Sequence, residues 1–193
     1  LLRGTNTPTL VASWLAVMKV GAIAVTTMPM LRAKELIVIA ERAQIDHAIC
    51  EARLVSEVQE AARATGRLSR VATYGDGALE RLMAQRTDEF KNVSTAADDV
   101  CLLAFTSGTT GQPKGCMITH ANLCSQVEVL PENIPLDATC RLASIVPLSH
   151  LFEFTCGMLY PLSQGAAIHY IPSRRAPDIL RVLNEQQITH MIA

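Results

Sequence analysis

Apolar positions along the chain alternate between a helical period and short continuous runs. The first helical pattern places apolar side chains at i, i+3, i+4 and i+7: Val11, Trp14, Leu15 and Met18. Thr7 can cap the start of this helix, Pro8 suits its first turn, and Gly21 ends the pattern. The pattern therefore predicts an amphipathic helix with both ends marked.

Further strands and helices follow in alternation. Short apolar runs predict strands at 23–25, 47–50, 71–74, 100–105, 142–146 and 166–171, with another beginning at 189. Helical stripes predict helices around 36–43, 54–62, 79–83 and 123–130, the last capped by Thr119, and a helix opened by Pro177. This alternation predicts an α/β fold with a largely parallel sheet. Residues 85–99 are the most polar stretch, and we expect a solvated connection and a possible subdomain boundary there.

Composition narrows the class of protein. The 193 residues are 49% hydrophobic and 18% charged, which is enough apolar material for a sizeable core. A net charge of -1 without a basic cluster argues against a nucleic-acid or membrane-surface partner, so we expect a small-molecule partner. The apolar runs are too short for a membrane span, and the first residues lack the features of a signal peptide. We expect a cytoplasmic protein and a region from the middle of a longer chain.

The six cysteines are scattered, with no C-x-x-C pair. Disulfide frameworks and zinc sites use closer or paired spacings, so we expect reduced and mostly buried thiols and no metal site. Cys116 is the expected exception, because it directly follows a glycine-rich loop.

The stretch LLAFTSGTTGQPKGCMITH (102–120) carries the most informative chemistry. Directly after an apolar strand, residues 106–115 contain four hydroxyl side chains, three glycines and Lys114. Glycines expose backbone amides, hydroxyls donate hydrogen bonds and lysine adds a positive charge, and this combination suits a polyphosphate at the carboxyl end of a strand. The spacing is not that of the common nucleoside-triphosphatase loop, because Gln112 and Pro113 separate Gly111 from the lysine.

The segment FTSGTTGQPKG (105–115) closely resembles the signature loop of the adenylate-forming enzymes, which include acyl-CoA synthetases and aryl-CoA ligases. The resemblance extends to ITH (118–120), VPLSHLFE (146–153) and TTMPMLRAKEL (26–36), so it covers essentially the whole chain. It implies that residues 1–193 form part of the large N-terminal, AMP-binding domain. No segment resembles the family's later magnesium-binding and ribose-binding motifs or its C-terminal domain.

Members of this family use MgATP to convert a carboxylic acid to an acyl-adenylate, and many then transfer the acyl group to coenzyme A. The resemblance implies that the β- and γ-phosphates are held by Thr106, Ser107, Gly108, Thr109, Thr110, Gly111 and Lys114. Among these, Thr106 and Lys114 are the expected catalytic residues, while His150 and Phe152 are expected to contact the acid. The implied reactants and cofactors are ATP, Mg²⁺, coenzyme A and a small carboxylic acid.

Several alternatives remain open at this stage. The segment at 146–166 resembles long-chain fatty acyl-CoA synthetases, whereas the upstream half resembles aryl-CoA ligases of the benzoate type. We expect a fatty or general acyl substrate because the later segment is nearer the acyl pocket. A non-catalytic nucleotide-binding module is the alternative from another class. A hydrolase triad of Ser149, His150 and Glu153 is not favoured, because the three are too close in sequence and no G-x-S-x-G motif is present. We expect the 193 residues alone to be inactive.

Overall fold

The computed structural model describes residues 1–106, 113–171, 173 and 175–192. Its larger sheet contains β1 (Leu2–Arg3), β2 (Ala24–Thr27), β3 (His47–Glu51), β4 (Arg70–Tyr74), β5 (Val100–Thr106) and β6 (Lys114–Thr119). The strand order is β4-β3-β1-β2-β5-β6. The first five strands in this order run parallel, and β6 pairs antiparallel with β5. The predicted α/β class with a largely parallel sheet is therefore confirmed.

Helices cover both faces of this sheet. The helices are α1 (Pro8–Lys19), α2 (Ala33–Arg42), α3 (Val55–Thr65), α4 (Ala78–Ala84) and α5 (His120–Val129). Leu102 faces a core shared with α1 and α5, whereas Leu103 packs against the core formed with α2 and α3. Side chains that alternate along β5 thus serve two cores, as expected of a strand buried on both faces.

A smaller parallel sheet lies beside the first. It contains β7 (Arg141–Ser144), β8 (Ala167–Tyr170) and β9 (His190–Met191) in the order β8-β7-β9. A helical stretch joins β7 to β8 and consists of α6 (Leu151–Phe154), a π-helical segment (Thr155–Leu159) and α7 (Tyr160–Ser163). α8 (Ala176–Glu185) precedes β9. Phe154 packs edge-on against Trp14 with ring centroids 4.9 Å apart, which ties α6 to the core of the larger sheet.

Both predicted threonine caps are present. The Thr7 hydroxyl accepts a hydrogen bond from the Leu10 amide at 3.2 Å, and Pro8 is the first residue of α1. Thr119 accepts from the Asn122 amide at 3.2 Å, and the Asn122 side chain accepts in return from the Thr119 amide at 3.1 Å. These reciprocal bonds satisfy amides that have no partner inside the helix.

The structure adds one strand that the sequence did not predict and corrects three sequence-based expectations. Leu2–Arg3 forms the strand β1, which lies inside the sheet between β2 and β3. Thr106, Lys114 and Gly115, expected to lie in the loop, are strand residues instead. Ile23 lies outside β2 and is exposed. The connection between β7 and β8 is helical, and its strands form a separate sheet.

Residues 85–99 form an exposed connection without a helix or strand. The strands on either side of it, β4 and β5, belong to the same sheet. All six cysteines are free, and Cys50, Cys101 and Cys140 are buried whereas Cys116 and Cys124 are exposed. In the described part of the chain, we find no helix with the length and hydrophobicity needed to cross a bilayer.

Candidate functional site

The carboxyl ends of strands from both sheets meet at a cleft. In the larger sheet, the segments that follow β1 and β2 contribute Thr5, Asn6, Met28, Pro29 and Met30. In the smaller sheet, the segments after β7 and β8 contribute Ile145, Pro147 and Ile171. The cleft has a volume of about 150 Å³ and a largely apolar wall. Crevices outside the carboxyl ends of parallel strands are the usual ligand sites in such folds.

The hairpin of β5 and β6 presents two predicted site residues at this edge of the sheet. Thr106 is the last residue of β5 and lies directly opposite Lys114, the first residue of β6. Both residues are exposed. Among the described residues, the Lys114 ammonium has neither a hydrogen bond nor an ion pair, so this charge is available to an anionic ligand.

The predicted phosphate-binding residues Ser107, Gly108, Thr109, Thr110 and Gly111 lie outside the described residues. The structure therefore gives the two ends of this segment. One end follows Thr106, and the other reaches the hairpin through Pro113 and Lys114.

Arg42 anchors the second end of this segment. Its Nη1 donates a hydrogen bond to the Pro113 carbonyl at 2.6 Å, across 71 positions of sequence. Arg42 is the last residue of α2, and α2 packs through Leu36 and Ile39 against the core on one face of the sheet. The helix thus holds the backbone directly before Lys114. Sequence reasoning missed Arg42, because nothing in its neighbourhood links it to residue 113.

Arg3 holds the segment after β2, which lines the cleft. Its guanidinium donates to the carbonyls of Met28, Pro29 and Leu31 at 2.8, 2.9 and 2.6 Å. The side chain is only 1% exposed, and burial lowers the pKa of its guanidinium. Arg3 therefore holds the segment that follows β2 through its Nη1 and Nη2 atoms, whereas its buried Nε has no partner among the described residues. This role is not predictable from the sequence, because a charged residue is not expected in a buried strand of only two residues.

The predicted acid-contacting residues His150 and Phe152 are not among the residues that line the cleft. His150 precedes α6, and Phe152 lies in its first turn. Both side chains are exposed, Phe152 to 63%. They follow the cleft residues Ile145 and Pro147 closely in sequence. The structure thus leaves both side chains accessible to solvent.

Glu153 lies in the interior and is 0% exposed. Its Oε1 accepts a hydrogen bond from the Ser144 hydroxyl at 2.5 Å, and among the described residues its Oε2 has no partner. Burial raises the pKa of this carboxyl, and the hydrogen bond from Ser144 partly opposes that shift. A Cβ at Gly157 would lie 2.6 Å from Oε1, so the glycine makes room for the carboxyl. Glu153 therefore bonds Ser144 rather than the histidine of a hydrolase triad.

A metal site is a separate question from phosphate binding. Across residues 1–106, 113–171, 173 and 175–192, no three or more histidine, cysteine, aspartate or glutamate side chains are grouped so that they could hold a metal ion.

Comparison with known proteins identifies similar chains. The sequence profile of a family described as AMP-binding enzyme matches residues 1–193. The uncharacterized acyl-CoA ligase YtcI of Bacillus subtilis (strain 168) is 33% identical over 111 residues, which are 56% of this chain and 21% of that protein. The 4-coumarate-CoA ligase 1 of Arabidopsis thaliana is 28% identical over 199 residues, which cover 95% of this chain and 36% of that protein.

Solved structures agree on the fold. The crystal structure of the anthranilate CoA ligase AuaEII in complex with anthranoyl-AMP superposes with a TM-score of 0.91 at 20% sequence identity. The match covers 98% of this chain and 37% of that one. The chain thus spans well under two thirds of the length of the relatives it matches.

Proposed function

The chain belongs to the AMP-binding enzyme family. From this premise we propose that it is the phosphate-binding part of an ATP-dependent acid-thiol ligase. The full-length protein would first convert a carboxylic acid and ATP to an acyl-adenylate and pyrophosphate. Coenzyme A would then take up the acyl group as a thioester. Matches to proteins named as CoA ligases support this reaction class.

The observation that carries the proposal is the pairing of Thr106 with Lys114 at the carboxyl edge of the sheet. An exposed hydroxyl and an exposed ammonium stand at the two ends of the segment TSGTTGQPK. Hydrogen bonds to charged groups contribute about 1.5–3 kcal/mol each, so a few such donors would bind a triphosphate firmly. The same charge would offset the negative charge that builds up on departing pyrophosphate.

The chemistry of the first step explains why this position needs a cation. A carboxylate oxygen of the acid attacks the α-phosphorus of ATP, and the bond from that phosphorus to the bridging oxygen breaks. Both reactants are anions, so their approach is unfavourable until positive charge is placed near the phosphates. Lys114 would supply that charge, and Thr106 together with residues 107–111 would donate hydrogen bonds. Mg²⁺, when bound, would offset more of the negative charge of the phosphates.

The wall of the cleft favours an apolar acid. Met28, Met30, Ile145 and Ile171 line a space of about 150 Å³. His150 and Phe152 follow Pro147 in sequence and are exposed. We propose a fatty or general acyl acid as substrate. An aryl acid is the second candidate, supported by the match to a 4-coumarate-CoA ligase over 95% of this chain. Six free cysteines suit the reducing cytoplasm, where we place the protein.

The test is acid-dependent exchange of labelled pyrophosphate into ATP by the full-length protein. A panel of fatty acids, benzoate and 4-coumarate would separate the two substrate classes. We expect Lys114→Ala to slow exchange by about 100-fold while changing the KM for the acid much less. Lys91→Ala, which removes an exposed lysine from the 85–99 connection, is the matched control. An unchanged exchange rate in Lys114→Ala would refute the proposal.

The non-catalytic alternative needs its own experiment. We expect the isolated 193 residues to bind ATP weakly and in a salt-sensitive way, and to form no acyl-adenylate. Calorimetry with ATP at two salt concentrations measures the binding, and pyrophosphate release measures turnover. Turnover by the isolated chain would show that it needs no further segment. ATP binding by a full-length protein that gives no exchange with any acid would support the non-catalytic module.

A further inference from the structure

We propose that Asn6 is a positioning residue, which holds the segment 144–150 against the larger sheet and so fixes the acid-binding side of the cleft relative to the phosphate-binding hairpin. This inference rests on the proposed function of the same cleft. It assigns a role to a residue that does not itself react.

The side-chain amide of Asn6 forms hydrogen bonds with three alternate residues at the end of β7 and directly after it. Its Nδ2 donates to the Ser144 hydroxyl at 2.9 Å and to the Val146 carbonyl at 2.7 Å. Its Oδ1 accepts from the Leu148 amide at 2.9 Å. The main-chain partners fix the orientation of the amide, because the Val146 carbonyl can only accept and the Leu148 amide can only donate.

Asn6 lies between two fixed elements, the strand β1 and the start of α1. It follows β1, which pairs with β2 on one side and β3 on the other. Thr7, the next residue, caps α1. The preceding Gly4 lies so close to Tyr74 that a Cβ there would be 1.8 Å from the phenol oxygen. The amide therefore projects from a short turn whose two ends are both fixed.

A second anchor extends the network into α6. Because the Asn6 amide donates to the Ser144 oxygen, the Ser144 proton is free to go to Glu153 Oε1, which it reaches at 2.5 Å. Ser144 and Glu153 are 1% and 0% exposed. The chain of bonds thus fastens the connection at residue 144, before the cleft wall, and at residue 153, after His150.

The geometry indicates a role in positioning. Between the two anchors, Ile145 and Pro147 line the cleft, and the next residues lead to His150. Leu148 is only 4% exposed, so its amide would lose a hydrogen-bond partner in a buried setting if Asn6 were shortened. Unpaired buried donors are costly, and the segment would shift to find another partner. A shift of about 1 Å is enough to impair a reacting geometry.

Asn6→Ala in the full-length protein is the decisive variant. We expect the KM for the acid to rise about tenfold in pyrophosphate exchange, while the KM for ATP changes less than about twofold. Asn6→Asp keeps the acceptor for the Leu148 amide but replaces the donor with a carboxylate oxygen that repels the Val146 carbonyl, and we expect a rise at least as large as in Asn6→Ala. Asn122→Ala removes an asparagine whose side chain, among the described residues, bonds only to the Thr119 amide in the cap of α5. This variant should lower stability without changing the acid KM.

A second measurement does not depend on activity. Hydrogen-deuterium exchange of a peptide covering 144–150 should be faster in Asn6→Ala than in the wild type and unchanged in Asn122→Ala. The inference would be overturned by equal hydrogen-deuterium exchange of this peptide in the wild type, Asn6→Ala and Asn122→Ala. It would also be overturned if Asn6→Ala raised the KM values for acid and ATP equally. If the wild-type protein showed no pyrophosphate exchange with any acid, the proposed function would be refuted instead. Hydrogen-deuterium exchange of the 144–150 amides would still decide whether Asn6 holds the segment. Should Asn6→Ala not fold, Asn6→Asp gives the same two readouts.

Discussion

Arg3 and Lys114 are two cations at the same edge of one sheet, and the structure uses them in opposite ways. Arg3 is buried, and its guanidinium donates to three carbonyls of the segment after β2. Lys114 is exposed, and its ammonium has no partner among the described residues. A buried cation that bonds to the protein backbone stabilises the fold, whereas a cation exposed to solvent is free to bind a ligand. The contrast separates the framework of the cleft from its chemistry.

The largest expected effect tests the framework side of this contrast. Arg3→Met would leave three partly buried carbonyls without their donor, and we expect a loss of about 3 kcal/mol in the free energy of unfolding. Lys114→Met should change that free energy by less than about 0.5 kcal/mol, because exposed substitutions rarely cost more. Urea denaturation of the full-length variants measures both. Equal losses in the two variants would break the comparison.

The same contrast shows what could be read from the sequence. The amphipathic helices α1 and α3 and the caps Thr7 and Thr119 are predictable, because periodicity and capping chemistry are local properties. β1 is not, since it has two residues and one of them is a charged arginine whose partners lie 25 to 28 positions away. β6 escapes prediction because it begins with the exposed residues KGCM, whose strand conformation comes from pairing with β5.

The candidate site divides in the same way. The segment 106–115 is recognisable because its residue types carry the chemistry themselves. Asn6 and Arg42 are not, because their roles come only from distant partners, Asn6 with 144–148 and Arg42 with Pro113. Long-range polar contacts leave no periodic signal in a single sequence. Ligand-binding residues in a loop are therefore easier to predict than the residues that position them.

Arg42 offers an intermediate case that sharpens the comparison. It is exposed like Lys114, yet it donates to a backbone carbonyl as Arg3 does. We expect Arg42→Ala to slow pyrophosphate exchange about threefold to tenfold, since one hydrogen bond that orients the hairpin is lost. The KM for the acid and the free energy of unfolding should change little. Arg63→Ala, on the exposed face of α3, is the matched control, and an equal effect in both variants would contradict a positioning role for Arg42.

Glu153 is the acidic counterpart of Arg3, a buried charge-bearing group without an opposite charge paired to it among the described residues. The two differ because a carboxyl becomes neutral by taking up a proton at accessible pH, whereas a guanidinium stays charged. Burial raises the pKa of Glu153 in the folded protein above its ordinary value in the unfolded chain. The folded state therefore binds the proton more tightly than the unfolded state does.

The smallest expected effect follows from that linkage and appears only over a limited range of pH. The stabilising contribution of protonated Glu153 is complete below the ordinary pKa of about 4.3 and is lost as pH rises through the raised pKa, at up to about 1.4 kcal/mol per pH unit. Glu153→Gln cannot ionise and should gain stability relative to the wild type as pH rises across this window. Urea denaturation between pH 4 and pH 8 measures the difference, with the exposed Glu60→Gln as control. Parallel curves for wild type and Glu153→Gln would show that the buried carboxyl is accommodated as an anion. Glu153 would then resemble Arg3 in keeping its charge inside the protein.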